Sequence, residues 1–395
     1  MCVCAGVLVL GVAPGSGPLA RAAEFPPGFE ERVVVEGLRQ PTALAWGPGG
    51  EAWITGKEGE VWLVRPGEAP LAVAALPVDT EGERGVSGIA VDPGYPENRH
   101  VWVYYTRGGE TVHNRLSRFT HAEGRLRDET VVIDFPPLAT IFHNAGCLRF
   151  APDGTLFVSV GDGGERAAAP DPRDLRGKIL HLRRDGSPAK APPATGPPGP
   201  PRAGRAAERQ VAVADPRVWA RGFRNPWRFS LQPGTGALFI ADVGEDSWEE
   251  LNLGVEGGHF GWPFVEGPEP PGQAGYVYPI FSYPHDPERV NSITGGDHAK
   301  PGDLAPEYEG NYFFGDWGTG DLFRMELDGA NRPVLTELWG RELVSPVDIQ
   351  FGPDGALYYV AFVRGELRRI AGPEPEAGDQ LPAHTTRLRP SLFAR

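Results

Sequence analysis

The stretch HNAGCLRFAPDGTLFVSVGD, residues 143–162, sets a histidine just before one apolar run and an aspartate just after the next. Roughly Cys147–Phe150 reads as a strand, Pro152-Asp153-Gly154 as a turn and Leu156–Val160 as a second strand. A hairpin returns its two outer ends to the same edge of a sheet. His143 and Asp162 are therefore expected to meet. A carboxylate beside an imidazole fixes its tautomer and supports it as a general base. The plainer alternative is a strand-end histidine and a turn aspartate that only satisfy backbone groups.

The elements that would position this pair recur along the chain. LAWGPGGEAWITG (44–56), LRFAPDGTLFVSVGD (148–162), FSLQPGTGALFIADVG (229–244) and IQFGPDGALYYVA (349–361) each join an apolar strand, a Pro/Gly/Asp turn and an aromatic-rich strand. IAVDPGYPENRHVWVYYT (89–106) is a relative, and NYFFGDWGTGDLFRMELDG (311–329) is a further hairpin. With 54 Gly, 42 Pro and only 2 Met, the composition favours short strands and turns over long helices. Six recurrences of one all-β unit predict a six-bladed β-propeller of four-stranded antiparallel blades, over residues 24–372. That allots roughly 58 residues to a blade, above the ~40–45 of a compact one, so loops hold the excess, and loops carry function. The Pro/Gly/Ala-rich stretch 187–207 reads as a loop insertion and 373–395 as a loose tail.

The net charge of −14 argues against nucleic acid as a partner, since phosphate binding needs a basic face. Acidic loops suit a hard cation such as calcium instead. Residues 1–23 have the pattern of an export signal, with the apolar core Val7-Leu8-Val9-Leu10 and the small-residue site Ala20-Arg21-Ala22, although no Lys or Arg precedes that core. The apolar run is too short to span a membrane. Loss of Cys2 and Cys4 with the signal leaves Cys147 without an intrachain partner, best read as a small buried strand residue. The expected location is periplasmic or secreted.

Several segments, in order, resemble the soluble PQQ-dependent sugar dehydrogenases, the glucose/sorbosone dehydrogenase family. These are GERGVSGIAVDPGYPENRHVWVYYT (82–106), HNAG…VSVGDGG (143–164), DLRGKILHL (174–182), GFRNPWRFS (222–230), ADVGEDSWEELN with GGHFGWP (241–263) and ITGGDHAKPG (293–302). The resemblance runs from about Pro41 to Ile370 and implies a six-bladed propeller with cofactor and sugar on its top face. It implies that His143 takes the proton of the anomeric hydroxyl while hydride passes to the quinone, with Asp162 orienting it. Arg224 and Asn225 would contact the quinone oxygens; a fixed cation there stabilises developing charge. Lys300 falls at a basic cofactor contact. Glu83 stands where many members carry Gln, a sugar or cofactor contact, or else a solvated charge. The carbonyls of Gly244 and Glu245 match the calcium that bridges the cofactor. Glu250 and the carbonyl of Phe260 match a second, structural calcium. An ordinary acidic hairpin end is the alternative. Trp227, Trp248, Trp262 and Trp317 read as blade core. The substrate would be a sugar or related alcohol, with electrons passing to an external acceptor.

Two departures matter. Ala145 replaces the first glycine of the usual Gly-Gly. In the last blade, LVSPVDIQFGPDG (343–355) keeps Asp348 but has Ser345 and Val347 where an Arg-x-Arg-Asp pattern holds the acidic cofactor. That brings the chain nearer the Hedgehog-interacting-protein-like branch. Two other functions therefore stand beside the dehydrogenase: a non-catalytic propeller that binds carbohydrate or protein, and a calcium-dependent lactonase, whose metal would activate water.

Overall fold

The computed structural model describes residues 22–190, 214–268 and 275–372. All but the end of the expected export signal, most of the 187–207 insertion and the tail lie outside the described residues. Twenty-four strands among them form six four-stranded antiparallel sheets, the expected propeller. The chain enters with β1 (Glu30–Val35). Blade 1 is β2 (Pro41–Trp46), β3 (Ala52–Gly56), β4 (Glu60–Val64) and β5 (Leu71–Ala75). Blade 2 is β6 (Val86–Val91), β7 (His100–Arg107), β8 (His113–Ala122) and β9 (Arg125–Pro137). Blade 3 is β10 (Ala145–Phe150), β11 (Leu156–Val160), β12 (Lys178–Leu182) and β13 (Val218–Arg221). Blade 4 is β14 (Pro226–Leu231), β15 (Leu238–Asp242), β16 (Trp248–Leu253) and β17 (Phe281–Pro284). Blade 5 is β18 (Ile293–His298), β19 (Tyr312–Asp316), β20 (Leu322–Leu327) and β21 (Pro333–Gly340). Blade 6 takes β22 (Pro346–Phe351), β23 (Leu357–Ala361) and β24 (Glu366–Ala371) from the end of the chain, and β1 completes it by pairing with β24.

Side chains alternate across a strand, and here both faces are covered. In β7, Val101, Val103 and Tyr105 pack toward blade 1, while Trp102 and Tyr104 pack toward blade 3. In β3, Trp53 faces blade 2 and Ile54 faces blade 6. Each of the six apolar clusters fills one seam between neighbouring blades. Strands buried on both faces read as unbroken apolar runs rather than as alternation, which is why WVYY and FVSV look as they do. Cys147 sits in the blade 3–4 seam, 1% exposed, as expected of a strand residue.

Five of the six recurring sequence units are the inner hairpin of a blade. The sixth, 311–329, is β19–β20, one strand further out. In blade 5 the link from β18 to β19 runs through residues 299–311 with a single helical turn at Pro306–Tyr308, so the short turn that marks the other inner hairpins is missing there. The first strand of every blade lines the axis and runs in the same direction. Residues just before β6, β10, β14 and β22, and just after β3, β11, β15 and β19, therefore collect at one end of the propeller, called the top here.

Candidate active site

The hairpin β10–β11 brings its outer ends together at the top. His143 Nδ1 lies 2.6 Å from Asp162 Oδ1. Local backbone makes this approach possible. His143 and Ala145 hold left-handed φ values of 59° and 49°, and a Cβ on Gly161 would stand 2.0 Å from the His143 carbonyl oxygen. The alanine that departs from the family pattern is thus accommodated, fully buried, at a strain typical of a left-handed non-glycine residue, roughly 1–2 kcal/mol. Its N–H donates to Asn225 Oδ1 at 3.1 Å.

Asp162 is fully buried. Its Oδ1 also accepts the Gly164 N–H at 2.8 Å, and its Oδ2 accepts the indole N–H of Trp262 at 2.9 Å. Burial works to raise its pKa, but the hydrogen bond and charge of His143, with the two other donors, outweigh it and hold the carboxyl below its ordinary value. An ionised carboxylate on Nδ1 keeps the proton on that nitrogen and leaves the Nε2 lone pair available as a base. The His143 side chain keeps 16% of its surface exposed.

Glu83, from the loop before β6, accepts the His143 backbone N–H on Oε2 at 2.9 Å. Burial raises its pKa, against the charges of His143 and Arg224. Arg224 and Asn225 precede β14. Their N–H groups donate to Asp242 at 3.0 and 2.7 Å, and Arg224 Nη1 donates to the Val243 carbonyl at 3.1 Å. The Arg224 guanidinium lies 5.6 Å from the centre of the Trp262 ring, and its buried Nε has no partner among the described residues. Asn225 is 3% exposed and splices blade 3 to blade 4 through Ala145.

Two further side chains belong to this cleft. Trp262, read from sequence as core, is indeed buried, but it also anchors Asp162 directly. Arg166 stacks on the same indole at 4.5 Å and pairs with Glu245 at 2.9 Å. No local spacing connects residue 162 with 262; the loop after β16 lies against the end of β13, where the Trp262 N–H donates to the Gly222 carbonyl at 3.0 Å.

The loop after β15 carries Gly244 and Glu245. A cavity of about 10 Å³, the size of one water or ion, is lined by Arg224, Asp242, Gly244, Glu250, Phe260 and Glu266 among others. Glu250 Oε1 accepts the Gly267 N–H at 2.6 Å, and Oε2 accepts Asn252 Nδ2 at 3.1 Å. Burial chiefly, with the charges of Glu266 and Glu249, pushes Glu250 up to about 7. Burial and Glu250 push Asp242 well up. Carboxylates around a one-ion cavity form an oxygen-rich set that suits a hard cation. Glu266, which the sequence reading did not single out, lines the same cavity and accepts the Glu245 N–H. Among the described residues no three His, Cys, Asp or Glu side chains alone converge as a metal site, so main-chain carbonyls such as that of Phe260 would have to complete the shell.

Lys300 is not in this cleft. It follows the far end of β18, its N–H bonded to Asp303, while Leu304 bonds to Gly355 in the β22–β23 turn. That is the bottom of the propeller. The physical reason is strand direction: residues after an inner strand lie at the opposite end from residues before it. In the last blade, Ser345 has φ 44°. Val347 is 6% exposed, and its carbonyl accepts Trp227 Nε1 at 2.9 Å. Asp348 turns to the axis, where Arg228 and Arg149 lie 3.4 and 3.5 Å away. Arg341 sits at the outer rim, bonded through its backbone to Glu24.

Residues 38–369 match the model of the family described as Glucose / Sorbosone dehydrogenase. The aldose sugar dehydrogenase YliI of Escherichia coli is 26% identical over 367 residues, 86% of this chain and 92% of its own. The HIPL1 protein of Arabidopsis thaliana is 32% identical over 229 residues, 49% of this chain and 31% of its own. Among solved structures, a protein of Thermus thermophilus described as an oxidoreductase (glucose dehydrogenase) is 30% identical with a TM-score of 0.71, covering 87% of this chain and 100% of that one. The PQQ-bound form of an aldose sugar dehydrogenase from Streptomyces coelicolor is 24% identical with a TM-score of 0.68, covering 88% and 99%.

Proposed function

This chain belongs to the glucose/sorbosone dehydrogenase family, and from that premise we propose that its top cleft oxidises an aldose or a related alcohol with PQQ and calcium. The observation that carries the reading is the His143–Asp162 dyad, 2.6 Å across, set beside the Arg224 guanidinium and the carboxylate-lined cavity. When bound, the quinone supplies the hydride acceptor and calcium polarises it. His143 Nε2 takes the proton of the sugar hydroxyl. Asp162, ionised and held by Trp262 and Gly164, stabilises the imidazolium that results. Arg224 and Arg166 supply positive charge toward the acidic cofactor. The carbonyls of Gly244 and Glu245 would hold the bridging calcium. Glu250 and the carbonyl of Phe260 would hold a second ion that stiffens the loop beneath. Glu83, which accepts the His143 N–H, would meet a sugar hydroxyl. Export to the periplasm or beyond accords with such an activity.

Ser345 and Val347 favour a second reading, a propeller that binds carbohydrate or protein without turnover. A lactonase is not favoured, because the axial carboxylate Asp348 is already engaged by two arginines. Titration of the protein with PQQ in calcium, followed by fluorescence, together with glucose-dependent dye reduction, separates the first two. A hydrogen bond to a charged group contributes roughly 1.5–3 kcal/mol, and ~1.4 kcal/mol is tenfold in affinity. With two family arginines gone, binding is expected to be weak and reversible, with activity rising only at high PQQ. Absence of any binding would leave the non-catalytic reading.

A further inference from the structure

The opposite end of the propeller carries a larger concavity. In the bottom seam between blades 1 and 2, a cavity of about 300 Å³ is lined by Gly49, Glu51, Leu63, Arg65, Pro66, Tyr95, Arg99 and His121. That volume lies at the lower bound for small-molecule sites, ~300 Å³.

Its walls are fixed. Tyr95 Oη is 2.5 Å from His121 Nδ1, the two rings are stacked, and Trp53 meets the imidazole edge-on with centroids 5.0 Å apart. Trp53 is fully buried and Tyr95 is 4% exposed. Arg99 holds a left-handed φ of 59°, with its guanidinium 5.3 Å from the Tyr95 ring centre. That conformation ends the helical turn Tyr95–Asn98 as a left-handed cap, which holds Arg99 beside the cavity.

Its lining carries two guanidiniums, Arg65 and Arg99, against one carboxylate, Glu51. Arg99 has no carboxylate within ion-pair reach among the described residues, and Arg65 has only an exposed partner, Glu68, at 3.3 Å. Glu51 turns one carboxylate oxygen back onto the Gly49 N–H at 2.9 Å. Burial, then Arg65 and Arg99, with Glu51 opposing, keep His121 below its ordinary pKa. One excess positive charge in this lining, in a protein of net charge −14, favours an anion that completes it. Guanidinium forks match carboxylate and phosphate oxygens, and an apolar and aromatic floor accepts a ring.

We propose that this bottom seam is a second ligand site. It takes a small ring-bearing organic anion, the acid group between Arg65 and Arg99 and the ring over Tyr95 and Leu63.

Calorimetry of the whole protein with phenyl phosphate, benzoate and neutral phenyl β-glucoside tests this. The first two arms distinguish a phosphate ligand from a carboxylate one. At least one anion should bind, with the neutral compound at least about tenfold weaker, the worth of one charged hydrogen bond. Arg65→Gln/Arg99→Gln should weaken the anion by about 100-fold while thermal unfolding is unchanged. Arg224→Gln, at the other end of the molecule, should leave affinity intact, so the result does not depend on the dehydrogenase reading. Failure of both anions to bind, equal binding of the neutral compound, or loss of binding in Arg224→Gln but not in the double variant would each overturn the proposal.

Discussion

At Glu83 the chain sets a carboxylate against the backbone N–H of the proposed base, His143. Burial raises that carboxyl above its ordinary pKa. A raised folded-state pKa means stability that is full below the unfolded value and lost as pH rises through the folded value. Glu83→Gln removes that loss. The melting temperature of the variant should therefore change less than the wild type's as pH rises from about 4 toward neutrality, the direction set by an unfolded value of ~4.3. Identical pH profiles would show that Glu83 ionises freely in the folded protein. The His143–Asp162 pairing was legible in the sequence because one hairpin forms it. Trp262 and Arg166 were not, since they reach the cleft from the long β16–β17 and β11–β12 loops, whose course no strand periodicity sets.

At the scale of elements, the loop that follows β15 is where sequence and structure inform each other most. The acidic pattern around Glu250 pointed to a cation. The structure adds Asp242 and Glu266, which no spacing rule joins to it. A ligand that binds only the folded state stabilises it by about 2.7 kcal/mol at 100 times its dissociation constant. Chelation should lower the melting temperature, calcium should restore it, and Glu250→Ala should reproduce much of the drop without chelator. Melting that ignores both chelator and calcium would leave the loop an acidic hairpin end. Strand direction explains the sequence reading that the structure reversed. Lys300 lies two residues past β18, and the end of an inner strand faces away from the cleft. Strand polarity relative to the axis is invisible until the blades are delimited, and blade 5 lacks the short inner turn that delimits the others.

Over the whole molecule, six seams of apolar side chains hold the blades, and β1 closes the ring by pairing with β24. Val35 is 5% exposed, and Phe29 meets Trp339 and Tyr308 edge-on at 5.0 and 5.6 Å. Burying a large apolar side chain contributes about 1.5–3 kcal/mol, so a chain beginning at Glu36 should lose at least about 3 kcal/mol and melt several degrees lower. Unchanged melting would mean that the ring closes without this strand. The packing of consecutive blades gives the catalytic reading its geometry, because the top cleft takes residues from blades 2, 3 and 4 and from the loops that join them. The most direct measurement is glucose-dependent dye reduction by wild type and His143→Ala, each saturated with PQQ and calcium, with PQQ affinity measured in parallel. Removal of a general base typically costs ~10²–10⁴-fold in rate, so the variant should lose that much turnover while folding and binding PQQ as before. Near-normal turnover in a folded His143→Ala protein would contradict the account.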